Sequence, residues 1–396
     1  MFFPPGAFDA SGGDDKSFSA VQFGEAASGT QLSAFTYAGQ DYLISADASP
    51  KVFMQTGSGD PVPVTVGLDS SYCAGCEISA WSSFDLKGST YLAAAVLKSD
   101  AGYQTKSFLF KVTQSSRTGI TLAVASSIDT SGATAVASFV EGSTAYIAFA
   151  NLRGDKRTDV VSSTLHAFDG QAVALSQSFN AGQYGANSVD AVSVDGAYVL
   201  AFANTVALAQ GGSSQNVPSK IFTASKTDVD SSGVLRLWSP QTVQTSSAVK
   251  AVKGFVVKSV AFLLFASSSG PSSVYMRDSV TGQFAPFQTI YSQGAAGVDV
   301  VQQTSDNAVV LVSKAAGVDV YTFDAGSLPV FNELPFAKRT TIAQAGTTGV
   351  IGYAPAGGHD ATVVVSSTSG AKLYSVFAHS TGMRQSGCIC SPLPPP

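Results

Sequence analysis

The sequence predicts an all-β fold, a seven-bladed β-propeller of four-stranded blades, and three observations carry that prediction. A unit recurs seven times between Phe18 and Phe377, with a period of about 50 residues. Residues that favour helices are scarce, with four Glu and four Met against 38 Gly and many Ser, Thr, Val and Ala, a balance that suits a pleated, half-buried surface. No window sustains an apolar stripe at i, i+3, i+4 and i+7. A four-stranded unit cannot bury both of its faces alone, so the copies must stack on one another. The 396 residues therefore read as one closed array rather than two or three domains.

Each copy opens on a short run of alternating character, beginning at Phe18, Val62, Ile120, Val173, Leu235, Phe284 and Leu328. A second strand follows, as in Gly297-Val298-Asp299-Val300. Third comes an apolar burst: Tyr42–Ile44, Tyr91–Ala94, Tyr146–Asn151, Tyr198–Asn204, Val260–Ala266, Val309–Val312 and Thr362–Val365. Near-continuous apolar runs of this kind fit the middle of a blade, buried on both faces. The fourth strand is carried by Lys51–Met54, Ser107–Val112, Thr164–Phe168, Lys220–Thr223, Ser273–Arg277, Val318–Phe323 and Lys372–Phe377. Insertions at Gly67–Gly75, Gly154–Asp159 and Ala209–Pro218 are turn-forming in composition. The organisation that follows is an N-terminal extension (1–17), a propeller (18–377) and a Cys- and Pro-rich tail (378–396).

Three features of the repeat go together: Phe-x-x-x-Gln, a Val-Asp-Val step, and a Tyr-led apolar strand ending in Ala-Asn. Phe18 to Gln22, Phe284 to Gln288 with Val298-Asp299-Val300, and Tyr146 to Asn151 carry them best. In these residues the chain resembles the EPTP (or EAR) repeat, the propeller unit of leucine-rich glioma-inactivated-type proteins. The likeness runs over residues 18–377 at repeat level and implies a seven-bladed propeller. The sequence departs from the family in lacking leucine-rich repeats before the propeller. It also lacks the Gln in several copies, such as Val62–Val66 and Leu328–Asn332. WD40 fits less well, because no Gly-His…Trp-Asp pair occurs, and the double glycines of kelch do not recur with the period.

Charged residues make up 12%, the net charge is −5, and no Lys/Arg-rich block occurs, which argues against nucleic acid as a partner. The longest apolar stretch, Ala251–Ala266, is interrupted by Lys253 and Lys258 and is too short to span a bilayer. Met1–Gly6 lacks the basic and apolar regions of a signal peptide. Low charge and a Ser/Thr/Gly-rich composition nevertheless look secreted, so the expected setting is extracellular and the chain is read as a fragment of something longer.

Cysteine gives the sharpest local signal. Cys73-Ala74-Gly75-Cys76 lies in one insertion, and Cys388-Ile389-Cys390 follows the last copy. An even count in a secreted-looking chain favours disulfides over zinc or redox chemistry, with three connectivities open. Asp190 and Asp299 occupy equivalent second-strand positions. Acids repeated at one blade position can converge on a central channel and bind Ca²⁺, an idea the resemblance raises. The plainer alternative is that each satisfies a neighbouring backbone amide. His166, His359 and His379 stand in unremarkable contexts, and no nucleophile elbow, HExxH helix or phosphate loop occurs. No catalytic residue and no obligatory cofactor is expected.

The chain ends Ser391-Pro392-Leu393-Pro394-Pro395-Pro396. Such runs adopt polyproline II, and the ending resembles the stalks of hydroxyproline-rich cell-surface glycoproteins of algae and plants. The expected function is an extracellular protein–protein interaction or structural module, such as the head of an algal wall or flagellar-surface filament glycoprotein. Its partners would be other proteins, copies of itself or a proline-rich chain. A glycan-binding lectin-like propeller and, behind it, a loop-built hydrolase or lyase are the alternatives.

Overall fold

The computed structural model describes residues 16–380 apart from 27–30, 57–59, 70–71, 74, 117–118, 157–160, 180–183, 208–216, 232, 244–247, 303–304, 306, 325–334 and 355–360. Among the described residues every regular element is a strand. In chain order these are β1 (Lys16–Ala26), β2 (Leu32–Tyr37), β3 (Gln40–Ser45), β4 (Val52–Met54), β5 (Val62–Leu68), β6 (Glu77–Leu86), β7 (Ser89–Lys98), β8 (Gln104–Ser116) and β9 (Gly119–Ser131). There follow β10 (Ala133–Glu141), β11 (Thr144–Asn151), β12 (Ser163–Phe168), β13 (Val173–Phe179), β14 (Tyr184–Val194), β15 (Ala197–Ala207), β16 (Ser219–Ser225) and β17 (Trp238–Val243). Next come β18 (Val249–Val257), β19 (Val260–Ser267), β20 (Ser272–Arg277), β21 (Phe284–Ile290), β22 (Ala295–Gln302) and β23 (Asn307–Lys314). The last are β24 (Gly317–Asp324), β25 (Phe336–Ala343), β26 (Thr347–Tyr353), β27 (Ala361–Ser367) and β28 (Gly370–Ser380).

Hydrogen bonding groups these strands into five sheets of four and one of eight. Strands β10–β13, β14–β17, β18–β21 and β22–β25 each form an antiparallel sheet in chain order. The sets β2–β5 and β6–β9 are ordered the same way, but Thr65–Leu68 pairs in parallel with Gly119–Leu122 and fuses them into one sheet. The last sheet runs β1-β28-β27-β26, with Lys16 opposite Ser380 and Ala26 opposite Ala371. The beginning of the chain therefore completes its final sheet.

This places the repeat one strand out of phase with the sequence expectation. The runs opening at Val62, Val173 and Phe284 pair with the strands that precede them, β4, β12 and β20, and so end a set of four strands rather than begin one. Short connections such as Asp169–Ala172 favour pairing backwards as a hairpin. A period read from sequence has no intrinsic phase. The run at Leu328 lies outside the described residues.

The apolar bursts form β3, β7, β11, β15, β19, β23 and β27, the second strand of each set. Their two faces feed different cores. On β11, Tyr146, Ala148 and Ala150 pack toward Leu200 and Phe202 of the next sheet, while Ala145, Ile147 and Phe149 pack toward Tyr91 and Leu109 of the preceding one. Side chains that alternate across a strand make one burst serve two interfaces. The first strand of each set lies innermost, and neighbouring inner strands touch in order from β2 to β26, with β26 returning to β2.

Candidate functional site

The inner strands are where polar groups of different sheets meet. Strands β6, β10 and β14 carry a bulge at their entry, around Ser79, Thr134 and Asn187. A bulge re-aims a side chain, and here each turns to the next inner strand. Ser79 Oγ donates to Ala133 O (2.7 Å), Thr134 Oγ1 to Ala186 O (2.9 Å) and Asn187 Nδ2 to Lys250 O (2.6 Å). At the next two bulges, around Lys250 and Ala296, charges deeper in the strands take over this role.

Asp190 on β14, Lys253 on β18 and Asp299 on β22 stand opposite Ala201, Leu264 and Leu311 of their apolar neighbours. The Lys253 ammonium lies 3.0 Å from Asp299 Oδ1 and 3.8 Å from Asp190 Oδ2. Each carboxylate also accepts a backbone N–H from the following sheet, Gly254 for Asp190 (2.7 Å) and Gly352 for Asp299 (2.8 Å). The triad thus ties four successive inner strands. The two carboxylates hold the Lys253 ammonium well above the ordinary lysine range, against the burial that opposes its charge. Burial pushes the Asp190 carboxyl up, while Lys253 and the amides of Gly254 and Ala191 pull it down.

The structure therefore brings both sequence-singled aspartates onto inner strands, joined through a lysine that sequence reasoning treated only as an interruption of an apolar stretch. The donors around them suit an ion triad. An ammonium and backbone N–H groups occupy the positions from which a divalent cation would need oxygen ligands. Among the described residues no three His, Cys, Asp or Glu side chains converge as a metal site.

A second charged cluster lies on the sheet of β22–β25. Asp319, 1% exposed, is paired with Lys314 and with Lys338 (2.8 Å) and accepts from Thr341 Oγ1 (2.9 Å). Burial would raise its carboxyl, but the donors from Lys314, Lys338 and Thr341 prevail and hold it below the usual range. Nothing in the repeat pattern marks Lys314 or Lys338, which come from the end of β23 and from β25.

On the outer strands, the Gln of the Phe-x-x-x-Gln pattern acts as a clasp between sheets. Gln288 donates from Nε2 to Phe336 O and accepts from Phe336 N–H, both at 3.0 Å. Gln241 makes the same pair of bonds with Phe284, and Gln177 with Leu237. Each carboxamide imitates one step of β-pairing across a gap between sheets. Where β5 meets β9, direct parallel backbone pairing does the same work.

Cys73 and Cys76 form a disulfide with Cα atoms 5.6 Å apart, the local one of the three connectivities. Cys388, Cys390 and His359 lie outside the described residues. Beside the disulfide, the Tyr72 ring packs on Phe108 and Phe110, and burial pushes its hydroxyl up to about 12. His166 is buried on β12 beside Thr164 Oγ1 (3.1 Å) and Phe149, and burial lowers its pKa to about 4. It is therefore a neutral core histidine at pH 7. His379 falls within β28. No helix of the described residues is long and apolar enough to cross a membrane.

No family model matches this chain, and no curated protein matches it. Solved structures do. A Dos1 propeller superposes with a TM-score of 0.53 over 87% of this chain and 78% of its own, at 14% identity. Raptor from Chaetomium thermophilum superposes with a TM-score of 0.54 over 92% of this chain at 12% identity. The chain spans only 29% of that Raptor chain. At such identities the likeness is one of fold, and the fold is a β-propeller.

Proposed function

We propose that this chain is a seven-bladed propeller of the EPTP type, serving as an extracellular protein–protein interaction or structural module. In this reading the eight-stranded sheet counts as two blades zipped at their outer strands, and the sheet completed by β1 is the seventh. The observation that carries the functional reading is the use made of the inner-strand charges. Asp190 and Asp299 share the Lys253 ammonium across sheets, so these charges are spent on holding the scaffold, and the loop ends are left as the working surface. The Cys73–Cys76 disulfide suits an oxidising compartment. The proline tail suits display on a stalk, as in a cell-surface or filament glycoprotein, with other proteins, further copies or a proline-rich chain as partners.

Cross-linking mass spectrometry on native material tests this. The expected result is hydroxylated prolines in 392–396 together with cross-links from the propeller loops to other polypeptides. Unmodified prolines, reduced cysteines and cross-links confined to one chain would overturn it.

A further inference from the structure

We propose that Arg153, stacked on Tyr103, is a preformed anchor for an acidic side chain of a partner protein. The proposal rests on the interaction-module reading and gives one of its contacts a location and a chemistry. Arg153 follows β11 and Tyr103 precedes β8, so the pair sits where connections of two neighbouring sheets meet. The Arg153 Cζ lies 4.0 Å from the Tyr103 ring centroid.

The support beneath this pair is fixed. Asp155 Oδ1 accepts the N–H groups of Tyr103 (2.6 Å) and Gln104 (3.2 Å), and Gly132 N–H donates to Tyr103 O (2.7 Å). Leu152 N–H donates to Gly132 O (3.0 Å), which closes the link back to the arginine's own segment. Ser99 and Gly102 exchange backbone bonds at 2.9 and 3.0 Å across the same turn. The disulfide loop abuts it, since a Cβ at Gly75 would lie 3.1 Å from Asp100 Oδ2.

Among the described residues nothing uses the guanidinium itself. Arg236 pairs with Asp230 through two N–H groups at 3.0 and 2.7 Å. Arg153 forms neither an ion pair nor a hydrogen bond through its guanidinium among the described residues, and its Nε is buried without an acceptor. A guanidinium has five donors in a rigid plane that matches a carboxylate bidentately. Stacking on an aromatic ring fixes that plane in advance and lowers the entropy cost of binding. Arginine and tyrosine are both enriched among the few residues that carry most of the binding energy at protein interfaces. A carboxylated sugar is the weaker fit, because a sugar would stack on the tyrosine face that Arg153 already covers.

The test is NMR titration of the Arg153 side-chain Nε–Hε signal in the intact chain, using Ac-Gly-Glu-Gly-NH2, its Gln counterpart and glucuronic acid. A lone carboxylate should bind with Kd on the order of 1 mM. The Glu peptide is expected to shift the signal saturably, and the Gln peptide is not. In Arg153→Lys, peptide binding followed by backbone amide shifts should weaken by about tenfold, because charge remains but the fork is lost. A Tyr103→Ala variant should lose affinity while the fold, read from the remaining amide spectrum, persists. Equal response to the Gln peptide, no response to any probe, or tighter binding of glucuronate would each overturn the proposal. Failure here would leave the interaction-module reading to be decided by the cross-links.

Discussion

Replacing Gln288 with alanine removes a clasp between two sheets without touching either core. The wild-type carboxamide makes two neutral hydrogen bonds to the backbone of Phe336, a residue only 2% exposed. Each such bond is worth about 1 kcal/mol net, so the variant should lose about 2 kcal/mol of stability. The loss should localise. The Phe336 amide gives up its acceptor, and at 1.4 kcal/mol per decade its hydrogen exchange should accelerate by about 30-fold. Gln288→Glu sharpens the test, because a carboxylate can still accept from Phe336 N–H but cannot donate to Phe336 O and faces that oxygen with a negative charge. It should cost at least as much as alanine. Urea unfolding followed by fluorescence, with exchange mass spectrometry across β25, measures both quantities. An alanine variant within about 0.5 kcal/mol of wild type, or a glutamate variant indistinguishable from it, would refute the clasp as a stabilising device.

Other expectations follow from the same structure. Lys253→Met leaves two facing carboxylates without their counter-charge and should cost about 3 kcal/mol at pH 7 by denaturant unfolding; a neutral result would remove the triad from the account. The sign of its pH dependence is also fixed. Lys253 titrates above its unfolded value, so its contribution is complete below the ordinary lysine pKa and fades only as pH rises through the folded one. The cost of the variant should shrink toward acid pH, where Asp190, raised by burial, takes up a proton. His166 has the opposite sense. Its folded pKa of about 4 lies below the unfolded value, so stability should fall by about 3 kcal/mol between pH 6.5 and 4; His166→Phe should flatten that limb, and an unchanged limb would contradict a buried neutral imidazole. Reducing Cys73–Cys76 reopens only a four-residue loop and should cost no more than about 2 kcal/mol, so a melting curve showing collapse of the whole fold would count against this assignment. Gly352→Ala should cost at least about 2 kcal/mol by thermal unfolding, since its Cβ would lie 2.3 Å from Val301 Cγ2 and 2.8 Å from Leu311 Cδ1; a wild-type melting temperature would contradict that packing.

The fold was legible where the chemistry is local. Tyr146–Asn151 or Val260–Ala266 can be buried on both sides only between two sheets, and their run of apolar residues says so. The phase of the repeat was not legible, because Val62 or Phe284 could pair forwards or backwards and alternation is the same either way. The glutamines were visible as part of a pattern, yet their purpose was not, since the backbone each clasps is distant in sequence: Phe336 lies 48 residues from Gln288. Asp190 and Asp299 stood out by position, and each accepts a backbone amide from the following sheet, with Gly254 and Gly352 as the donors. Lys253 went unnoticed as their partner because a lysine in an apolar run reads as a break. Arg153 carries no sequence signal, for its meaning depends on Tyr103 arriving from another sheet.

The pairing of β1 with β28 has a mechanical consequence. The strands are antiparallel, with Lys16 beside Ser380 at one end and Ala26 beside Ala371 at the other. Both outgoing chain directions therefore leave from the same end of this pair. A load applied through the two flanking segments would peel the strands apart one hydrogen bond after another, the geometry that yields at low force, instead of shearing all of them at once. Tension carried through one flank alone would leave the pair unloaded. In a filament the propeller would withstand pull as a pendant head and would open as a link in series, and optical-tweezer traces with handles on residues 16 and 380 should show that early opening.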